Sequence, residues 1–408
     1  MRQRTTHPLH ICVVSSSFPL HEGHVQSPFL LYLARALSNQ GVRVTVVCPF
    51  VQGCRPLGTI GPVRVHRFRY FWPNRLQTLT SRGGIPSNLQ RSFFDKIQFV
   101  ALVFSEFFAV LRFVRHHHCD LLHAQWSLPG LVSVAVKNIT KIPVVVTERG
   151  AALHLAIRNR FMKRVLMYCL AHSDFVTANN QCQIKIMEGL GISRKKLAVV
   201  SNGVDSSLFR PLNKTLCRRQ LRFTRDDPLL LFVGWLIERK GVAYLLHAVS
   251  QMVQDYPKLR LVVIGDGVLR KDLMRLSQDL RIRPHVLFRG SLPHREIARY
   301  MNAADLIVLP SLSEGRANVL QEALACATPV VATNVGDASS VVVDGTSGFL
   351  CRPKDVNDLR EKIEFALGQQ FRRRFSKNVE SVRKEKLTSW DTCAQRYIAI
   401  YRKILNEA

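Results

Sequence analysis

Two carboxylates and two adjacent cations stand where a phosphorylated ligand could use them. Glu314 and Glu322 belong to the segment Leu309-Pro310-Ser311-Leu312-Ser313-Glu314-Gly315-Arg316-Ala317-Asn318-Val319-Leu320-Gln321-Glu322-Ala323. An apolar run ends near Leu309, a polar loop follows, and Asn318 is suited to cap the helix expected next. The start of such a helix presents unpaired N–H groups, a favourable place for a phosphate. Glu322, about one turn in, can accept both hydroxyls of a ribose, while Glu314, on the loop, would reach sugar hydroxyls. A carboxylate near a helix start is also favourable without any ligand. The second constellation is Val233-Gly234-Trp235-Leu236-Ile237-Glu238-Arg239-Lys240-Gly241. Gly234 allows a ligand close to the backbone, and Arg239 and Lys240 precede another helix start, an arrangement suited to a diphosphate. The GxxxxGK[ST] spacing of a Walker phosphate loop is missing.

These loops need a frame, and the frame is periodic. Short apolar runs alternate with helix-length segments: His10–Ser15, Arg43–Cys48, Val63–Phe68, Asp120–Ala124, Pro143–Thr147, Asp174–Ala178 and Leu197–Ser201, then Leu229–Gly234, Arg260–Gly265, His285–Arg289, Asp305–Leu309 and Pro329–Ala332. Strands apolar on both faces and separated by helices make parallel sheets covered on both sides. The fold class expected is α/β, with two doubly wound Rossmann-like domains facing a cleft. The expected domains are 1–205 and 206–388. An amphipathic helix over 389–408 should cross back to the first domain. Ligands of such sheets sit at the carboxyl ends of the strands, where both constellations fall.

Composition sets further bounds. The 408 residues suit two domains, and 47% hydrophobic content is that of a globular chain. Ten Cys without a CxxC pair suggest reduced thiols in a cytoplasm. No cleavable signal pattern follows Met1. The net charge is +29, and nine Arg with no acid lie between Gly23 and Phe94. A field of this sign attracts anionic surfaces.

Taken together these segments resemble the retaining glycosyltransferases of family 4, with the GT-B fold. Pro310–Leu350 matches that family's signature nearly end to end, and Gly234, Arg239, Lys240 and Gly241 resemble its phosphate loop. Ser201-Asn202-Gly203-Val204-Asp205, then Phe209 and Pro211, match its interdomain segment. Ile264-Gly265-Asp266-Gly267, Phe288-Arg289-Gly290 and Leu292-Pro293 match other strand-end loops. Phe18-Pro19 to Gly23 matches its first loop, and Trp390, Tyr397 and Tyr401 the aromatic anchors of its closing helix. The resemblance implies transfer of a sugar from a nucleotide-sugar such as a UDP- or GDP-sugar to a glycan or lipid-linked acceptor. It implies that Glu322 binds ribose and that Arg239 and Lys240 neutralise the diphosphate. Glu314 and the stretch Gly315, Arg316, Ala317, Asn318 and Val319 would hold donor sugar and phosphates. Gly23 and Gly234 would allow close approach to the donor, and Leu292 would touch the base.

The chain also departs from that pattern. Trp235 replaces a frequent Arg, Ala317 a Pro or Gly, Ala327 a Gly, and Asp337 and Ser340 a Gly and Glu. His123-Ala124-Gln125 and Arg149-Gly150 replace histidine motifs of the first domain, so His123, Gln125 and Arg149 are the acceptor-side candidates, each with a structural alternative. These changes leave open a catalytically weak sugar-nucleotide-binding scaffold. With no Asp-x-Asp triplet and two cations available, the expectation is that no metal and no cofactor are needed. The Phe-rich stretch Ile97–Val114 is expected to be a buried or surface-docked helix. With the basic amphipathic stretch 153–166, which includes Arg158, it suggests peripheral attachment to an anionic membrane at its cytoplasmic face. Nucleic acid is the less expected partner, since no recognition module is visible.

Overall fold

The computed structural model describes residues 8–24, 26–80, 85, 93–150, 153, 159–315 and 317–407. The chain forms two compact units, Met1–Gly203 with Trp390–Ala408, and Val204–Ser389.

The first unit runs β1 (His10–Ser15), α1 (Pro28–Asn39), β2 (Arg43–Pro49), β3 (Leu57–Ile60), β4 (Val63–Phe68), α2 (Phe93–His116), β5 (Leu121–Gln125), α3 (Ser127–Thr140), β6 (Val144–Glu148), α4 (Arg160–His172), β7 (Phe175–Ala178), α5 (Gln181–Gly189) and β8 (Leu197–Val199). Its sheet has the order β3-β4-β2-β1-β5-β6-β7-β8. The strands are parallel except for the β3–β4 hairpin. Side chains alternate between two layers, as the pleat requires. Ile11 and Val13 join α1 and the closing helix, whereas Cys12 and Val14 join α2, α3 and α4. Both faces are thus buried, which is why the strands read as continuous apolar runs.

The second unit runs α6 (Lys214–Gln220), β9 (Leu229–Val233), α7 (Val242–Met252), β10 (Arg260–Ile264), α8 (Arg270–Asp279), β11 (Val286–Gly290), α9 (His294–Ala303), β12 (Leu306–Leu309), α10 (Asn318–Ala325), β13 (Val330–Thr333), α11 (Ala338–Val341), β14 (Gly348–Cys351), α12 (Val356–Leu367) and α13 (Gln369–Lys386). Its sheet, β11-β10-β9-β12-β13-β14, is parallel throughout. The closing helix α14 (Trp390–Glu407) buries Cys393, Ala394, Tyr397, Ile398, Tyr401 and Ile404 in the first unit's core.

Each of the twelve apolar runs overlaps a strand. The runs do not cover β3, three of whose four residues are exposed, or the short β14 after the Gly345–Ser347 turn. Of the expected basic amphipathic segment, 154–158, including Arg158, lie outside the described residues, and α4 begins at Arg160.

Candidate functional site

In the second sheet the strand order reverses between β9 and β12. Neighbouring strands there send their connections to opposite faces and leave a crevice at their carboxyl ends. The Gly234–Gly241 loop follows β9, and the Glu314 loop follows β12. Topology therefore brings together the two constellations that the sequence keeps more than seventy residues apart.

Glu314 is the hub. Lys240 Nζ lies 2.5 Å from its Oε1, and Ser311 Oγ donates to the same oxygen at 2.7 Å. Arg239 Nη1 donates to the Ser313 carbonyl at 3.3 Å and stands 3.8 Å from Glu314 Oε2. The Glu314 and Lys240 side chains are 7% and 12% exposed, against 49% for Arg239. One buried carboxylate thus faces two cations, and the guanidinium keeps an open side. Glu314 is not a lone carboxylate turned toward sugar hydroxyls; its Oε1 is engaged by Lys240 and Ser311.

Glycines permit this closeness. A Cβ on Gly241, at φ +64, would stand 2.0 Å from the Pro310 carbonyl oxygen. One on Gly336 would stand 2.3 Å from the Glu314 carbonyl oxygen. No side chain fits at either point, so the loops after β9 and β13 clamp the loop after β12. Thr333 Oγ1 adds a hydrogen bond to the Ser311 carbonyl. Ser311, Thr333 and Gly336 were not singled out from the sequence. Their only signal was position, being small or hydroxylated residues at or just beyond strand ends.

The helix α10 corrects one expectation. Asn318 is its first residue, and Ala317, with extended backbone, takes the capping position without a side-chain hydrogen bond. Ala317 cannot supply an acceptor oxygen, so this helix start lacks the cap expected of Asn318. Arg316 lies outside the described residues. Glu322 is in the second turn and half-buried. Burial alone pushes its carboxyl up to about 7; protein around the group removes water that would stabilise its charge, though some surface stays accessible. Leu292, just after β11, packs at the margin of the unit's core, and Trp235, beside Gly234, is 41% exposed.

In the first unit the order reverses between β1 and β5, and the acceptor-side candidates lie at the ends of β5 and β6. Tyr401 Oη lies 2.7 Å from His123 Nδ1, and Thr147 Oγ1 lies 2.7 Å from Nε2. Gln125 Nε2 is 3.0 Å from the same Nε2, and Gln125 Oε1 accepts from Arg149 Nε at 3.1 Å and Nη2 at 2.7 Å. Arg149 can only donate, so Gln125 must turn its oxygen to Arg149 and its amide to His123. His123 Nε2 then accepts, and Nδ1–H donates to Tyr401. Burial, helped by Arg149, pushes the His123 pKa down to about 3, so the ring is neutral.

His123 and Gln125 are wholly buried and brace Arg149 rather than meet solvent. Arg149 is half-buried. It donates further to Asn202 at 3.0 Å and lies over Phe29, 4.3 Å from the ring centre. Gly23, in the loop between β1 and α1, has φ +78 and open space around it.

Comparison with known proteins agrees with this frame. Residues 213–382 match the family model described as Glycosyl transferases group 1, and residues 26–203 match the Glycosyl transferase 4-like domain. A D-inositol 3-phosphate glycosyltransferase from Thermomonospora curvata is 34% identical over 308 residues, 70% of this chain and 71% of that one. Another from Frankia alni is 30% identical over 71% of this chain and 75% of its own length. Among solved structures, a sucrose-phosphate synthase from Thermosynechococcus elongatus matches with TM-score 0.81 at 22% identity, covering 98% of this chain and 100% of that one. Anabaena Alr3699/HepE, in complex with UDP and glucose, matches with TM-score 0.76 at 20% identity, covering 97% and 100%. At such identities these two likenesses speak to the fold, whereas the family models and the closer relatives speak to descent. The chain belongs to the group 1, family 4-like glycosyltransferases, with their two-domain GT-B fold.

Proposed function

We propose that this protein is a retaining glycosyltransferase that moves a hexosyl group from a nucleotide-sugar donor to a glycan or lipid-linked acceptor without a bound metal ion. The observation that carries the reading is the convergence of Arg239 and Lys240 on Glu314 at the strand-order reversal of the second sheet. Glycosyl transfer builds positive charge at the anomeric carbon and negative charge on the departing nucleoside diphosphate. Cations already in place stabilise that leaving group without reorganising. Lys240 is held by Glu314, Arg239 keeps an open side, and together they supply charge that a divalent ion would otherwise bring. Glu322, when ionised, accepts the two ribose hydroxyls. Backbone amides at the start of α10 take phosphate oxygens, Gly234 admits the donor and Leu292 flanks the base. Retention, with the acceptor entering on the leaving-group side, rests on kinship with the family.

On the acceptor side Arg149 is the one candidate that reaches the surface. Its guanidinium makes no ion pair among the described residues and donates to amide oxygens, while its backbone N–H donates to the Glu148 carboxylate. A cation set this way favours an acceptor group bearing negative charge.

The test is a panel of UDP-, GDP- and ADP-sugars scored by thermal stabilisation, since a bound donor raises apparent stability. One base class should stabilise the wild type and not Glu322→Ala. Transfer or slow donor hydrolysis should persist in EDTA, and NMR of the product should show the donor's anomeric configuration kept. A panel with neither binding nor hydrolysis would favour a non-catalytic scaffold instead.

A further inference from the structure

The helix α2 is, by length and composition, long and apolar enough to cross a membrane. It does not have the surroundings of a core helix. Phe93, Ile97, Val100, Phe104 and Phe108 are 75%, 46%, 54%, 62% and 62% exposed. Their spacing puts them on one stripe of the helix. The opposite side, with Gln98, Leu102, Glu106 and Val110, is buried. A stripe of large apolar groups this long marks an interaction surface rather than scattered exposure.

The stripe is not alone. The helix α3 packs against both α2 and α4, and α4 exposes Phe161 at 69% and Tyr168 at 45%. Cations border these apolar groups: Lys96 and Arg112 on α2, and Arg160, Lys163 and Arg164 on α4, all exposed. Neither α3 nor α4 contains an acid, and the two acids of α2, Asp95 and Glu106, are both buried. The surface that α2, α3 and α4 present to solvent therefore carries aromatic and aliphatic side chains, cations, and no carboxylate.

We propose that this surface docks on an anionic lipid bilayer, with α2 lying in the plane of the interface. A crossing orientation would have to strip Asp95, Gln98 and Glu106 from the first unit's interior and place them in hydrocarbon, at several kilocalories per polar group. An in-plane helix leaves them buried, sinks the Phe stripe to the depth of the acyl boundary, and sets the neighbouring cations at the headgroups. Charge also selects the occupant. Pairing two copies through this face would bring like charges together on a chain of net charge +29, whereas acidic headgroups neutralise them. The inference stands on the first unit alone, so it holds or fails separately from donor binding in the second.

Flotation of the full chain tests it, using vesicles of phosphatidylcholine with and without phosphatidylglycerol. The wild type should float with the mixed vesicles at moderate salt, at least tenfold more than with neutral ones, and should be released as salt is raised. The double variant Phe104→Asp/Phe108→Asp should lose binding tenfold or more with an unchanged melting curve, because both side chains are exposed. Lys163→Glu/Arg164→Glu should weaken binding and flatten its salt dependence. Equal flotation of the Phe variant would overturn the proposal, as would no flotation of the wild type. So would a concentration-dependent doubling of mass, without lipid, that the Phe variant abolishes; that result would assign the face to self-association.

Discussion

The hydroxyl of Tyr401 lies 2.7 Å from Nδ1 of His123, joining residues 278 positions apart. Through this contact the last helix of the chain closes a polar series that runs from His123 to Gln125 to Arg149. Tyr401→Phe leaves a buried N–H without its acceptor, which costs about 1–3 kcal/mol. Denaturant unfolding should show a lower midpoint at unchanged slope. If Arg149 serves the acceptor, acceptor KM should rise while donor affinity stays as it was.

Lys240 offers a separable test of the proposed leaving-group site. Lys240→Ala should lower kcat by about 10²–10³-fold with a smaller effect on donor KM, as expected when a group acts on charge that develops during reaction. It also leaves Glu314 buried without its nearest cation, so its thermal midpoint should fall. Lys240→Arg, which keeps the charge, should recover part of both losses. Unaltered kcat in Lys240→Ala would remove the residue from the chemistry.

If Glu322 holds the donor ribose as proposed, donor binding should depend on pH. Its carboxyl titrates at about 7 because of burial, and the ionised form is the better acceptor for ribose hydroxyls. Donor affinity should therefore fall about tenfold for each pH unit below 7 and level off above it. In Glu322→Gln the affinity should be weaker and flat between pH 5 and 8. Isothermal titration with the preferred donor reads both slopes.

Glu106 makes the opposite kind of statement, about stability. Burial pushes its carboxyl from 4.5 up to about 8, and neither oxygen has a hydrogen-bond partner among the described residues. As pH rises, the unfolded chain loses this proton near 4.5 while the folded one keeps it to about 8. Stability falls across that window and levels above it. Glu106→Gln should be about 2–4 kcal/mol more stable than wild type at pH 9 and show little gain at pH 4. Melting curves at the two pH values provide the check.

Ala327 sits at φ +55, a left-handed conformation that costs a side-chain-bearing residue about 1–2 kcal/mol. Glycine adopts this conformation without that cost. Ala327→Gly should relieve that strain and lose part of the gain to the freer unfolded chain. The net expected gain is about 0.5–1 kcal/mol, read as a rise in thermal midpoint with activity unchanged.

The local pattern of the sequence determined much of this protein. Two-sided apolar runs placed twelve strands, and the spacing of Trp390, Tyr397 and Tyr401 marked the closing helix. The ordered motif around Glu314 and Glu322 pointed to the ligand class. Those signals are local because strand period, helix period and loop chemistry are written within a few residues of one another. Tertiary structure decided what no local window contains. It paired Lys240 with Glu314 and enclosed His123 and Gln125 so that only Arg149 emerges. It put Ala317 rather than Asn318 at the capping position of α10, without a side-chain cap. It also turned Glu106 inward and the Phe104 stripe of α2 outward. Apolar composition predicts that a face will leave water but not which partner covers it, because burial depends on what the rest of the chain brings to that face.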